Sequence, residues 1–111
     1  MNDTNYIAGL IKILEPPKQK ILKNNLFMTQ FRAQIPQLRN TRIVRLTFWG
    51  NLARDVATYY KVNDYLLIEG YLSIRIKKNS KLNFSKSKKV EITALKVYPF
   101  FLNYDRSSSK T

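Results

Sequence analysis

The run from Tyr65 to Lys77 constrains this chain more than any other stretch. Leu66, Ile68, Gly70, Leu72, Ile74 and Ile76 share one parity, and Leu67, Glu69, Tyr71, Ser73, Arg75 and Lys77 share the other. Successive side chains of a strand point to opposite faces, so the run reads as one long strand whose second half is amphipathic. Gly70 at its centre marks where so long a strand can bend sharply, as the wall of a small barrel requires.

Shorter strand patterns surround it. Ile43 to Trp49 sets Val44, Leu46 and Phe48 toward the core and leaves Ile43, Arg45, Thr47 and Trp49 on the other side. Leu26 to Ile35 alternates as well, with Phe27, Thr29, Phe31, Ala33 and Ile35 opposed to Met28, Gln30, Arg32 and Gln34. Tyr6 to Leu14 is apolar on both faces except at Lys12, so it is expected to be buried on both sides or to pair with another subunit. Gly9 within it would permit a bulge or the close approach of another backbone. Val90 to Tyr98 supplies a fifth strand, followed by an apolar coda, Pro99-Phe-Phe-Leu102.

The connections are legible too. Gly50 breaks the third strand and Asn51 is a candidate N-cap. Leu52, Val56 and Tyr59 then recur at helical spacing, with Ala53, Ala57 and Tyr60 one position on. This predicts an amphipathic helix of about ten residues that plugs one end of the domain, with Asn63-Asp64 turning out of it. Glu15-Pro16-Pro17 ends the first strand, and Lys18 to Asn25 reads as a basic loop with a turn at Asn24-Asn25. Gln37 to Arg42 reads as a hairpin loop, and the lysine-rich tract from Lys77 to Lys89 as a flexible basic hairpin tip.

Five strands with a single short helix between strands 3 and 4 predict an all-β fold, a five-stranded closed barrel of OB type. Strand count alone would also fit an SH3-like barrel; the position of the helix favours the OB order. The domain is expected over residues 1–102, with 103–111 a polar tail lacking fixed structure.

Charge narrows the function. The chain has 20 Lys and Arg against 7 Asp and Glu, a formal charge of +13, which points to a polyanionic partner. No acid lies between Glu15 and Asp55, or between Glu69 and Glu91. Cys and His are absent, which removes disulfides, thiolate metal sites and the commonest general base. Acids scattered singly, with no glycine-rich phosphate loop, offer no acid/base pair or metal cluster, so neither an enzyme nor a cofactor is expected. Asn2-Asp-Thr-Asn5 is polar and no run approaches the ~20 apolar residues of a membrane span, so no signal peptide and no membrane partner are expected either.

The segment from Val44 to Arg75 resembles the centre of bacterial and organellar single-stranded DNA-binding proteins. The motifs that carry the likeness are Trp49-Gly-Asn-Leu-Ala53, Tyr59-Tyr60 at the helix end, and Glu69-Gly-Tyr-Leu72 followed by Arg75; Gly9-Leu-Ile11 and Glu15-Pro16 agree more loosely. The chain is most similar to the divergent version carried in plastid genomes of some algae. The resemblance implies an OB fold, a homodimer or homotetramer, sequence-tolerant single-stranded DNA binding in replication, recombination or repair, and a plastid (chloroplast) location. It places Trp49 on the family's stacking position and Arg45 and Arg75 on positions commonly basic there. Ile43 and Lys77 stand where the family often has tryptophan, and Val62-Asn63 replaces a usual Lys-Gly turn. The chain ends Arg106-Ser-Ser-Ser-Lys-Thr111, without the family's acidic tail. Weaker stacking and no partner recruitment by that route are therefore expected.

The physics points the same way, because a basic groove can track phosphates while exposed rings stack on bases. Trp49 is the expected main platform, with Arg45 and Thr47 beside it, and Tyr71 a second platform near Arg75 and Lys77. Phe84 is a third candidate ring, and Lys78, Lys81, Lys86, Lys88, Lys89 and Arg32 are candidate phosphate contacts. Trp49 and Tyr71 are each equally readable as rings packed at a subunit contact, and Phe84 as a ring closing its own hairpin. Two rival functions remain open: an RNA-binding OB protein, and a primosome-like or assembly adaptor that binds nucleic acid weakly.

Overall fold

The computed structural model describes residues 5–36, 41–78 and 86–103, and of residues 41, 75–78 and 86–89 it describes the backbone. The strands are β1 (Tyr6–Ile13), β2 (Lys18–Leu22), β3 (Leu26–Pro36), β4 (Thr41–Trp49), β5 (Tyr65–Lys78) and β6 (Lys86–Phe101), and helix α1 (Gly50–Tyr59) lies between β4 and β5. Hydrogen bonding runs in the order β1-β5-β6-β4-β3 and returns from β3 to β1 through Lys12 opposite Gln34 and Ile13 opposite Ala33. The five strands thus close into the expected OB barrel, with α1 between its third and fourth strands. All pairings are antiparallel except β4 with β6.

The sixth strand, β2, replaces the basic loop expected at Lys18 to Asn25. All five of its residues are exposed, so no burial pattern marked it in the sequence. What makes it a strand is the partner edge of β3. The Leu14 N–H donates to the Arg32 carbonyl (3.1 Å), and the Arg32 N–H donates to the Glu15 carboxylate (2.9 Å). Pro16 and Pro17 carry the chain away at this point, and the Glu15 side chain serves as the ladder acceptor that their backbone does not supply. The ladder then resumes from Lys18 opposite Gln30 to Leu22 opposite Leu26. The hairpin closes at Asn24 (φ 66°) and Asn25 (φ 58°), a left-handed pair that asparagine tolerates.

Alternation places the core as expected. Phe31, Ala33, Val44, Leu46, Phe48, Leu66, Ile68, Ile92 and Ala94 are buried together with Ile11 and Ile13, and the Phe31 and Phe48 rings stack with centroids 5.6 Å apart. β1 is not buried on both faces: Tyr6 and Ala8 are exposed while Ile11 and Ile13 point in. The two interior glycines differ. A Cβ at Gly70 would sit 2.1 Å from the Thr93 carbonyl oxygen, where β5 and β6 shift register between Glu69 and Gly70. A Cβ at Gly9 would meet no atom within 4 Å, so neither the bulge nor the close backbone approach expected there occurs within the described chain.

Helix α1 starts at Gly50 itself, which has φ +67°, with Trp49 in the N-cap position and no capping side chain; Asn51 is already helical and does not cap. Ala53 and Val56 are buried, and the Thr29 hydroxyl donates to the Ala53 carbonyl at 2.8 Å, fixing the helix across the barrel end. Tyr59 stands 70% exposed and Tyr60 packs on the core in its place, because the chain leaves helical geometry at Tyr60. Past the helix, the buried Asp64 carboxylate accepts from the Lys61 N–H (2.9 Å) and the Asn103 N–H (2.6 Å), tying the end of the last strand to the turn.

That last strand is longer than its pattern showed. Pro99, Phe100 and Phe101 continue β6, with Phe101 opposite Tyr65. The expected flexible basic tip has strand arms: Arg75 lies opposite Lys89 and Lys78 opposite Lys86 in a continuous antiparallel ladder. Lys81, Phe84 and residues 104–111 lie outside the described residues.

Candidate nucleic-acid interface

In the β3–β4 ladder Met28 lies opposite Trp49, Gln30 opposite Thr47, Arg32 opposite Arg45 and Gln34 opposite Ile43. Side chains directly opposite one another share a face. Because Phe31, Val44, Leu46 and Phe48 fill the barrel, these eight residues form its outer wall. The Trp49 ring, 40% exposed, lies at the end of that wall, where the Gly50 turn starts the helix.

The polar residues of the wall hold one another. The Gln30 amide donates to the Thr47 hydroxyl (2.9 Å), and its carbonyl accepts from the Arg45 guanidinium (3.4 Å). Thr47 is thereby covered, at 8% exposure, instead of presented to solvent. Arg45 is turned along the wall toward Gln30, and on β6 its register neighbour is Glu91. Arg32 forms an ion pair with Glu15 through its Nε at 2.7 Å. The backbone N–H and the guanidinium of Arg32 together lower the Glu15 pKa below the usual carboxylate value, burial opposing them and the charge of Arg45 adding a smaller share. Arg32 and Arg45 therefore border a cleft of about 570 Å³ that is also lined by Glu15, Arg42, Ile43, Val44 and Val90. The sequence reading puts the exposed Arg42 in the hairpin loop Gln37 to Arg42, but β4 already begins at Thr41; residues 37–40 lie outside the described residues. Arg42 lies near the open end of β4, opposite Ile35, beyond the part of the strand that the barrel buries. Glu15 and Gln30 were missed because their roles depend on cross-strand partners.

Tyr71 is elsewhere on the barrel. It lies on β5, with β6 between it and β4, 46% exposed and edge-on to Tyr6 at 5.4 Å. The Tyr6 hydroxyl donates to Glu69 at 2.5 Å, and this bond, with smaller contributions from desolvation and nearby charge, raises the Tyr6 pKa to about 12. The wall of β1, β5 and β6 also exposes Leu67, Leu95, Tyr98, Phe100 and Phe101. The structure thus gathers Trp49, Arg45, Thr47 and Arg32 on β3 and β4 and sets Tyr71 two strands from Thr47, with Thr93 of β6 between them. Arg75, Lys77, Lys78, Lys86, Lys88 and Lys89 occupy the arms of the β5–β6 hairpin.

No family model matches the chain. A curated relative does: the ycf41 protein of Trieres chinensis, named as an inferred single-stranded DNA-binding protein, is 37% identical over 103 residues, which cover 89% of this chain and 91% of that one. Solved structures share the fold. The small single-stranded DNA-binding protein of Streptomyces coelicolor superposes with a TM-score of 0.76 at 16% identity, covering 89% of this chain and 96% of that one. The corresponding domain from Synechococcus sp. gives 0.67 at 22%, covering 88% and 98%, and the mitochondrial protein of S. cerevisiae gives 0.74 at 9%, covering 92% and 100%. At these identities the three structures establish the barrel and no more. The barrel and the curated relative together assign the chain: it belongs to the ycf41 family of single-stranded DNA-binding proteins, a divergent plastid-type branch of OB-fold binding proteins and not of enzymes.

Proposed function

We propose that the chain binds single-stranded DNA with little sequence preference, in replication, recombination or repair within a plastid. The observation that carries this reading is Trp49, a partly exposed ring on the same barrel wall as Arg45 and Arg32. A base stacked on the ring contributes about 1–3 kcal/mol whatever its identity, and cations along the wall and the β5–β6 hairpin track the phosphates. Arg32 has its Nε engaged by Glu15 and offers its terminal nitrogens, and Arg45 supplies a second charge across the ladder. Thr47 sets Gln30 and so supports the wall from beneath. Lys77, Lys78, Lys81, Lys86, Lys88, Lys89 and Arg75 serve as individually replaceable phosphate contacts, with Phe84 as a ring among them.

The same reading includes a homodimer or homotetramer. Tyr6, Leu67, Tyr71, Tyr98 and Phe100 give the β1–β5–β6 wall an exposed apolar and aromatic surface of the kind that a second copy covers. Tyr71 then serves assembly in preference to stacking.

Competition between oligo(dT), oligo(U) and duplex at two salt concentrations tests the proposal. Preference for oligo(dT), with log affinity falling steeply against log salt at ~0.7 per phosphate contact, is the expected result. Preference for oligo(U) would make this an RNA-binding protein. Weak binding to all three, with Trp49 buried between subunits, would make it an assembly adaptor.

A further inference from the structure

We infer that strand β2 carries two further phosphate contacts, Lys18 and Lys20, which extend the ligand wall beyond the barrel. This rests on the single-stranded DNA reading above and adds residues to its site. β2 contributes no buried side chain, yet it is held in register along the whole first half of β3. Lys18 lies opposite Gln30, and Gln30 opposite Thr47; Lys20 lies opposite Met28, and Met28 opposite Trp49. Directly opposed residues share a face, so both lysines stand on the Trp49 face of the sheet, while Gln19 and Ile21 stand on the other.

The second row reads ring, thioether, ammonium across three strands. Two strand spacings, about 10 Å, separate the Trp49 and Lys20 backbones, and the flexible four-carbon lysine stem shortens the gap. That is the span from a base stacked on Trp49 to its own sugar-phosphate. Lys18, two residues along the same strand, meets the next phosphate. Neither lysine has an acidic neighbour in the ladder, whereas Arg32 is already paired with Glu15. Lysines on an edge strand also discourage edge-to-edge aggregation, but that role is independent of the ligand face and predicts no effect on DNA.

The test is the double variant Lys18→Gln, Lys20→Gln, with Lys61→Gln, on the turn after the helix, as a control that removes one charge and is compared per charge removed. Oligo(dT) binding is followed by Trp49 fluorescence across a salt series. Loss of two contacts lowers the salt slope by ~1.4 and the affinity about 25-fold at 0.1 M salt, with Trp49 quenching at saturation retained. An unchanged slope in the double variant, or an equal loss per charge removed in Lys61→Gln, overturns the inference and leaves the single-stranded DNA reading standing. Absence of oligo(dT) binding by the parent chain overturns the reading itself. A thermal melt of the double variant, whose two side chains are both exposed, establishes that the barrel is intact.

Discussion

Gly70→Ala is expected to be among the most damaging single-methyl changes this barrel can suffer. The new Cβ would lie 2.1 Å from the Thr93 carbonyl oxygen and 2.8 Å from the Ala94 Cα, both backbone atoms of β6 that cannot rotate away. That places the oxygen roughly 1.3 Å inside ordinary contact, so relief requires β5 and β6 to part. They would part where β6 also pairs with β4 through Thr47 and Thr93, so the barrel seam is strained on both sides of β6. Overpacking costs about 1–3 kcal/mol, and a weakened ladder bond adds about 1 kcal/mol, giving an expected loss of about 2–4 kcal/mol. Gly9→Ala meets no atom within 4 Å and is the control, expected to be neutral or to gain up to about 1 kcal/mol from reduced chain entropy in the unfolded state. Urea unfolding followed by Trp49 fluorescence, at one fixed protomer concentration, measures both. A Gly70→Ala variant within about 0.5 kcal/mol of the parent would refute the close approach of β5 to β6.

Glu15 gives the chain an acid-sensitive joint. Its folded pKa is lowered from 4.5, so its stabilising contribution is complete above that value and is lost as pH falls through the lowered folded one. Glu15→Gln should flatten acid unfolding in this window, and an identical pH profile would contradict the ion pair with Arg32. Asp64→Ala leaves the Lys61 and Asn103 N–H groups without their acceptor beside a buried site. It should cost about 2–4 kcal/mol in urea unfolding, with Asp64→Asn retaining part of the loss; a neutral Asp64→Ala would remove the tie between the last strand and the turn.

The sequence disclosed the inside of this barrel better than its outside, for a physical reason. Burial writes a period of two into a strand, so Phe31, Val44, Leu46, Phe48 and Ile68 announced the core and, by default, the outward parity of Arg32, Arg45 and Trp49. Parity separates in from out, but it does not say which part of a closed wall an outward residue occupies. Tyr71 and Trp49 therefore both read as platforms for one ligand, although β6 stands between their strands. β2 buries nothing and left no pattern, since it owes its form to the free edge of β3. Thr47 is covered by a glutamine from the adjoining strand, and Glu15 completes a ladder that two prolines interrupt; neither relation is local in sequence. Gly70 was legible as a bend, but only the structure shows that the atom it makes room for is a carbonyl oxygen of β6.

The central claim is that Trp49 is a stacking platform, and its fluorescence on addition of oligo(dT) tests it most directly. Strong quenching that saturates, together with about 5- to 150-fold weaker binding by Trp49→Ala, is the predicted result, since removing one stacked base costs about 1–3 kcal/mol. No quenching, with Trp49→Ala binding as tightly as the parent, would contradict it.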